Sequence, residues 1–151
     1  MEPNLSNPEE LRNTIELRLR TMRVLWFALC MSIVLYYVFT FFAEPREDVG
    51  PNNIIFLGLL SVAILTPIAA FIIKGQLLAR AIEQRQLEMV QQAYIVGWAI
   101  TEGAGLLGLV SFFLAYSHYY VVFFVFALLA QLTQFPRRGH LESAASGPSR
   151  F

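Results

Sequence analysis

Charge is scarce in this sequence: Asp, Glu, Lys and Arg make up 15% of its 151 residues, against about 25% in an ordinary soluble domain. The two signs balance at 11 each. No basic surplus exists to attract nucleic acid, and none is expected as a partner. Cysteine is rarer still. The single Cys30 can form neither an intrachain disulfide nor a cysteine-based metal site. His118 and His140 fall far apart in the topology, so no metal is expected, and no cofactor either. The glycines between Gly97 and Gly108 follow no strand, which excludes a phosphate-binding loop. No nucleophile lies beside a base, so nothing points to an enzyme. What is abundant is apolar: 56% of the residues are hydrophobic and mean hydropathy is +0.54. That excludes disorder, collagen and a disulfide scaffold, and it points to an integral membrane protein in contact with the lipid bilayer.

A membrane-spanning helix needs roughly 20 mostly apolar residues. Four segments meet or approach this: residues 22–43, 54–73, 93–116 and 119–135. The fourth is the shortest, and its end carries Gln131 and Gln134, at a depth where polar residues cost little. The first is longer than a signal-peptide core and follows an acidic segment, so it reads as a span. The basic residues set the orientation. Arg12, Arg18, Arg20 and Arg23 precede span one, Lys74, Arg80 and Arg85 lie between spans two and three, and Arg137, Arg138 and Arg150 follow span four. Against these stands only Arg46 on the other side, together with Glu44, Glu47, Asp48 and Ser117. Both termini and the middle linker are therefore expected in the cytoplasm. Tyr36, Tyr37, Tyr116, Tyr119 and Tyr120 fit the outer interface. The expected fold is all-α, a four-span domain over residues 1–138. The orientation rule assumes a bacterial inner (plasma) membrane.

Outside the spans, residues 9–20 repeat Leu11, Ile15 and Leu19 at helical spacing and continue to Met22. This helix is expected to lie on the membrane surface or to run straight into span one. Residues 74–92 lack proline and predict a helical hairpin extending spans two and three, with its turn between Glu83 and Leu87. The small, polar tail 139–151 predicts disorder.

Glu102 is the only acidic residue inside any span. Counted from Ala93 it lies about 14 Å along the helix, near the bilayer middle. A charged group there costs about 2.5–3.5 kcal/mol on insertion scales, and a protonated carboxyl costs less. Binding and releasing a proton is the functional reading; a structural hydrogen bond to a neighbouring helix is the bland one. Span two is antiparallel, and depth alone offers Ser61 and Thr66 as hydroxyl partners. Pro67 frees the carbonyl of Ala63 as a further acceptor. Gly97, Thr101 and Gly105 recur every fourth residue from Ala93, and Gly108 pairs with Ala104 in the same way. These rows allow close helix packing, within the chain or with another. Trp26 and Trp98 read as packing or interface residues and Cys30 as lipid-facing.

Residues 76–116 resemble the hairpin of rotary ATPase proteolipids, the ring-forming c subunits. The resemblance is carried by Arg85-Gln86 in the polar loop, by Glu102 in the following span and by Gly108-Leu109-Val110 six residues later. It implies that Glu102 is the ion-binding carboxyl. With Gly103 after the acid and no Gln in span two, it implies a proton as the ion. Three readings follow. The first is a proton-handling subunit of a membrane complex, partnered by other membrane subunits or copies of itself. The second is a non-catalytic assembly subunit docking through the glycines of span three, and the third is a small proton-coupled exporter.

Overall fold

The computed structural model describes residues 8–43, 52–115 and 118–146, and every regular element among them is helical. Helix α1 runs Pro8–Phe42, α2 Asn53–Glu83 and α3 Leu87–Leu114. A short 3₁₀ turn, His118–Tyr120, leads into α4, Val121–Thr133, and α5 covers Arg138–Ser146. Arg46, Glu44, Glu47, Asp48, Tyr116, Ser117 and residues 147–151 lie outside the described residues.

Local chemistry sets the helix ends. Pro8 opens α1 with Glu9 and Glu10 in its first turn, where missing and anionic groups suit the exposed N–H ends. Asn52 caps α2 by accepting the Ile55 N–H on its side-chain oxygen at 3.1 Å. The α2–α3 turn falls at Gln84–Gln86, within the predicted segment. Arg85 adopts φ 54° there, and the Gln86 N–H closes back on the Ala81 carbonyl at 3.0 Å. That left-handed residue does for α2 what glycine does at many helix ends.

Helix α3 is the axis of the bundle. It runs parallel to α1, with Arg18 paired to Glu88 at 3.1 Å at one end and Phe39 near Phe113 at the other. It runs antiparallel to α2 and α4, so Gly97 meets both Lys74 and Gln134. The starts of α1 and α3, the ends of α2 and α4, and all of α5 therefore gather at one end of the molecule. Arg12, Arg18, Arg20, Arg23, Lys74, Arg80, Arg85, Arg137 and Arg138 sit at that end.

Three helices, α1 to α3, are long and apolar enough to cross a membrane. Helix α4, with 13 residues, is about 20 Å long and shorter than the hydrocarbon core of about 30 Å. Helix α1, with 35 residues, is about 52 Å long and must project beyond it. Residues 9–20 continue into span one without a break. Ile15, Leu19 and Met22 bury with Leu78, Ala81, Leu87, Val90 and Tyr94, forming a core at the basic end of the bundle. The outer faces of α1 and α2 carry exposed large apolar side chains, among them Val24, Phe27, Leu35, Leu57, Leu65 and Ile72. Lipid tails suit such a surface and water does not.

The tail departs from expectation. Residues 139–146 belong to helix α5 and are not disordered. Leu141 and Ala144, one turn apart, are fully buried on the α1–α3 core. Their intrinsic helix signal is weak, and the apolar patch waiting on the other helices supplies the ordering energy. Cys30 departs too, being buried rather than lipid-facing.

Candidate functional site

Glu102 projects from α3 toward α1. Its Oε1 lies 2.5 Å from Ser32 Oγ and 2.8 Å from the Tyr36 hydroxyl. Ser32 and Tyr36 are one turn apart on α1, so a single face presents both. The residue is half-buried, which leaves the site open on one side. Among the described residues, no cation pairs with this carboxyl.

Counting protons shows what the arrangement can hold. Ser32 Oγ also lies 2.8 Å from the carbonyl oxygen of Leu29, and a hydroxyl has one proton to give. If Ser32 donates to Leu29, the contact with Glu102 requires a proton on the carboxyl. The series is then Tyr36 O–H to Glu102, Glu102 O–H to Ser32, and Ser32 O–H to Leu29. If Ser32 instead turns its hydrogen to Glu102, the carboxylate accepts two O–H donors and needs no proton of its own. The same atoms accommodate both states, which differ by one proton and one hydroxyl rotation.

Span two supplies neither partner expected from it. Ser61 donates to the Leu57 carbonyl at 2.8 Å and Thr66 to the Val62 carbonyl at 2.7 Å. Both hydroxyls satisfy themselves on their own helix, as Ser and Thr in helices often do. Thr66 packs near Gly103, and Glu102 points away toward α1. The depth count that gave Ser61 and Thr66 gives Ser32 when applied to the parallel span one: nine residues past Met22 is Met31, next to Ser32. Tyr36 was assigned to the outer interface on its residue type, yet its hydroxyl bonds the mid-span acid.

The small-residue row faces inward. A Cβ on Gly97 would meet Gln134 at 2.9 Å, one on Gly105 would meet Ile33 at 3.4 Å, and one on Gly108 would meet Phe123 at 2.9 Å. Thr101 accepts from Gln134 Nε2 at 2.5 Å. Partners for this row thus come from α1, α2 and α4 of the same chain.

A second polar cluster surrounds Thr101. Lys74, the chain's one lysine, is buried and donates to Gln134 Oε1 at 3.3 Å, with its ammonium 4.9 Å from the Phe71 ring centre and 5.3 Å from that of Tyr94. An ammonium can only donate, which fixes the Gln134 oxygen toward Lys74 and its amide nitrogen toward Thr101. Thr101 passes its own proton to the Gly97 carbonyl at 2.9 Å. Trp98 donates to the Gln134 carbonyl at 3.0 Å and Trp26 to the Gln131 carbonyl at 2.9 Å. Gln131 and Gln134 are both buried within the bundle, and among the described residues neither side-chain polar atom of Gln131 has a protein partner.

Beyond this cluster, Tyr94 accepts the Arg137 N–H at 3.2 Å and contacts His140 Nδ1 at 2.7 Å. Tyr94 donates to His140 in the tautomer that leaves a lone pair on Nδ1. Burial lowers the His140 pKa, and the nearby positive charges of Arg137 and Lys74 lower it further. Among the described residues no cluster of His, Cys, Asp and Glu could hold a metal ion. Compared with known protein families, with curated proteins and with solved structures, the chain has no match.

Proposed function

We propose that this is a small integral membrane protein that binds and releases a proton at Glu102. Helices α1 to α4 would cross the bilayer, with both termini and the α2–α3 turn in the cytoplasm. The basic residues gathered at one end of the bundle support that orientation. Helix α4 is short, and the apolar surface it shares with α3 supports its place as a fourth crossing. A bacterial inner membrane suits the orientation rule.

One observation carries the proton reading: the Glu102–Ser32–Tyr36 arrangement has a complete set of hydrogen bonds with the carboxyl protonated and another with it ionised. A purely structural carboxyl needs only one of them. The half-buried position leaves one side of the carboxyl uncovered by the chain, and the lack of a cationic partner among the described residues leaves the proton as the neutralising charge. The proteolipid-like role assigns the same work to the same residue. Small-residue contacts made within the chain favour it over docking a foreign helix through Gly97 and Gly105. An exporter role draws on Glu102 alone.

Infrared difference spectra of the full chain in lipid vesicles, recorded across pH steps, test the reading. The expected result is a protonated-carboxyl C=O band that titrates and disappears in Glu102→Gln. A spectrum without such a band, or one unchanged by the substitution, overturns it.

A further inference from the structure

At the basic end, α1 and α5 enclose a pocket of about 290 Å³ lined by Glu16, Leu19, Arg20, Arg23 and Arg138. Three arginines from two helices thus line one space, against the carboxylate of Glu16 beside them and that of Glu142, which pairs with Arg138. Glu16 and Arg20 stand one turn apart without forming an ion pair, and among the described residues Arg20 and Arg23 have no carboxylate partner. Arg138 Nε is held by Glu142 at 2.8 Å, which orients the guanidinium.

The depth of this pocket says what meets it. Arg23 immediately precedes the charge-free run from Val24 to Phe42, and Arg138 closely follows the apolar helix α4. The Arg23 guanidinium lies over the Phe135 ring at 5.7 Å. Phe135, Val24 and Phe27 are all exposed beside it. A cationic pocket therefore opens directly onto an apolar surface, at the level where phospholipid phosphates lie.

We propose that this pocket seats the headgroup of an anionic phospholipid, with its phosphodiester on Arg20, Arg23 and Arg138 and a headgroup hydroxyl donating to Glu16. Guanidinium groups suit phosphate oxygens by offering paired N–H donors in one plane. The surplus of positive charge suits a monoanionic diester. The apolar surface beginning at Phe135 and Phe27 takes the acyl chains, which a free phosphate lacks. The site depends on the membrane location and is independent of any proton exchange at Glu102.

Native mass spectrometry of the full chain, with phosphatidylglycerol and phosphatidylcholine of matched acyl chains, tests this. The expected result is preferential retention of phosphatidylglycerol. Arg20→Gln and Arg23→Gln should each weaken it about fivefold, the effect of one basic side chain near an anionic surface. Arg85→Gln, at the same end but outside the pocket, should leave it unchanged. Circular dichroism of each variant confirms that the helices persist, and exposed Arg20 serves as the test if Arg23→Gln unfolds. Equal retention of both lipids overturns the proposal, as does an equal loss in Arg85→Gln. Displacement of the lipid by equimolar glycerol phosphate overturns it in favour of a small-anion site.

Discussion

Thr101 and Glu102 are neighbours in sequence, yet α3 sends them to different helices. A step of about 100° around the axis turns Thr101 toward α2 and α4 and Glu102 toward α1. On the Thr101 side, the chain from Lys74 through Gln134 and Thr101 to the Gly97 carbonyl has one direction. Each group donates forward, and no position is left for another proton. On the Glu102 side, Ser32 stands between two acceptors, the carboxyl and the Leu29 carbonyl, and can serve either. A lone base and a lone acid thus sit about a turn and a half apart along α3 without pairing. The lysine is held by a fixed acceptor, Gln134 Oε1, and by two rings. The acid is held by rotatable hydroxyls, and that freedom is what the proposed proton exchange at Glu102 would use.

The largest way to break this comparison is to remove the amide that holds the lysine. Gln134→Leu leaves a buried ammonium without its oxygen partner, at an expected cost of about 2–3 kcal/mol. Lys74→Met alone should be close to neutral, because it removes the charge together with its desolvation cost. Adding Lys74→Met to Gln134→Leu should recover most of the loss. Thermal unfolding in detergent measures all three. If Gln134→Leu proves harmless, the cation is held by the rings of Phe71 and Tyr94 and not by the amide.

Gly97→Ala sharpens the same contrast. The added Cβ would press on Gln134 Oε1 at 2.9 Å and on Lys74 carbons at 3.1 and 3.3 Å. A cost of about 1–3 kcal/mol is expected, as for overpacking elsewhere. The infrared signal of Glu102 should remain, since Ser32 and Tyr36 are untouched. Gly58→Ala meets nothing within 4 Å and should be neutral or stabilising by up to about 1 kcal/mol. A Glu102 signal lost with Gly97→Ala would mean the two clusters are one.

Much of the fold is legible in the sequence because hydrophobic length and helical spacing are local properties. The long apolar runs, the turn between Glu83 and Leu87, and the face of Ile15, Leu19 and Met22 can all be read along the chain. Helix α5 cannot, because Leu141 and Ala144 acquire their meaning only from the patch they bury against. The site divides in the same way. Glu102 stands out as the one acid in an apolar segment. Its partners depend on which helix α3 touches on that face, and depth cannot choose between the antiparallel span two and the parallel span one. Gln131 and Gln134 show the opposite failure. Their distance from the end of span four suggested easy access to water, but Trp26, Trp98 and Lys74 close over them.

Smaller effects are expected from the hydroxyls around Glu102. Ser32→Ala and Tyr36→Phe each remove one hydrogen bond, worth about 1 kcal/mol. Their spectroscopic consequences differ. Ser32→Ala removes the group that both donates to and accepts from Glu102, so the protonated band should change frequency and the titration should move. Tyr36→Phe removes a donor available in both states, so it should change the band while leaving a smaller change in titration. Identical effects from the two variants would remove Ser32 from its switching position.

The smallest expected effect concerns how α5 is held at the basic end. His140 faces Tyr94 from α3, Lys74 from α2 and Arg137 from the segment before its own helix. Its pKa is lowered, by burial first and then by the two cations. The folded state therefore binds this proton less readily than the unfolded chain does. Docking is at full strength above the ordinary histidine value of about 6.5 and weakens as pH falls below it. Protonation also converts Nδ1 from acceptor to donor, which breaks the bond given by Tyr94. Amide protection over Leu141–Ser146, taken relative to the intrinsic exchange rate at each pH, should fall below that pH, while protection in α3 stays constant. His140→Gln should flatten the dependence, because glutamine offers an uncharged acceptor at every pH. Protection of α5 that ignores pH in the native chain would show that Leu141 and Ala144 alone set the strength of docking.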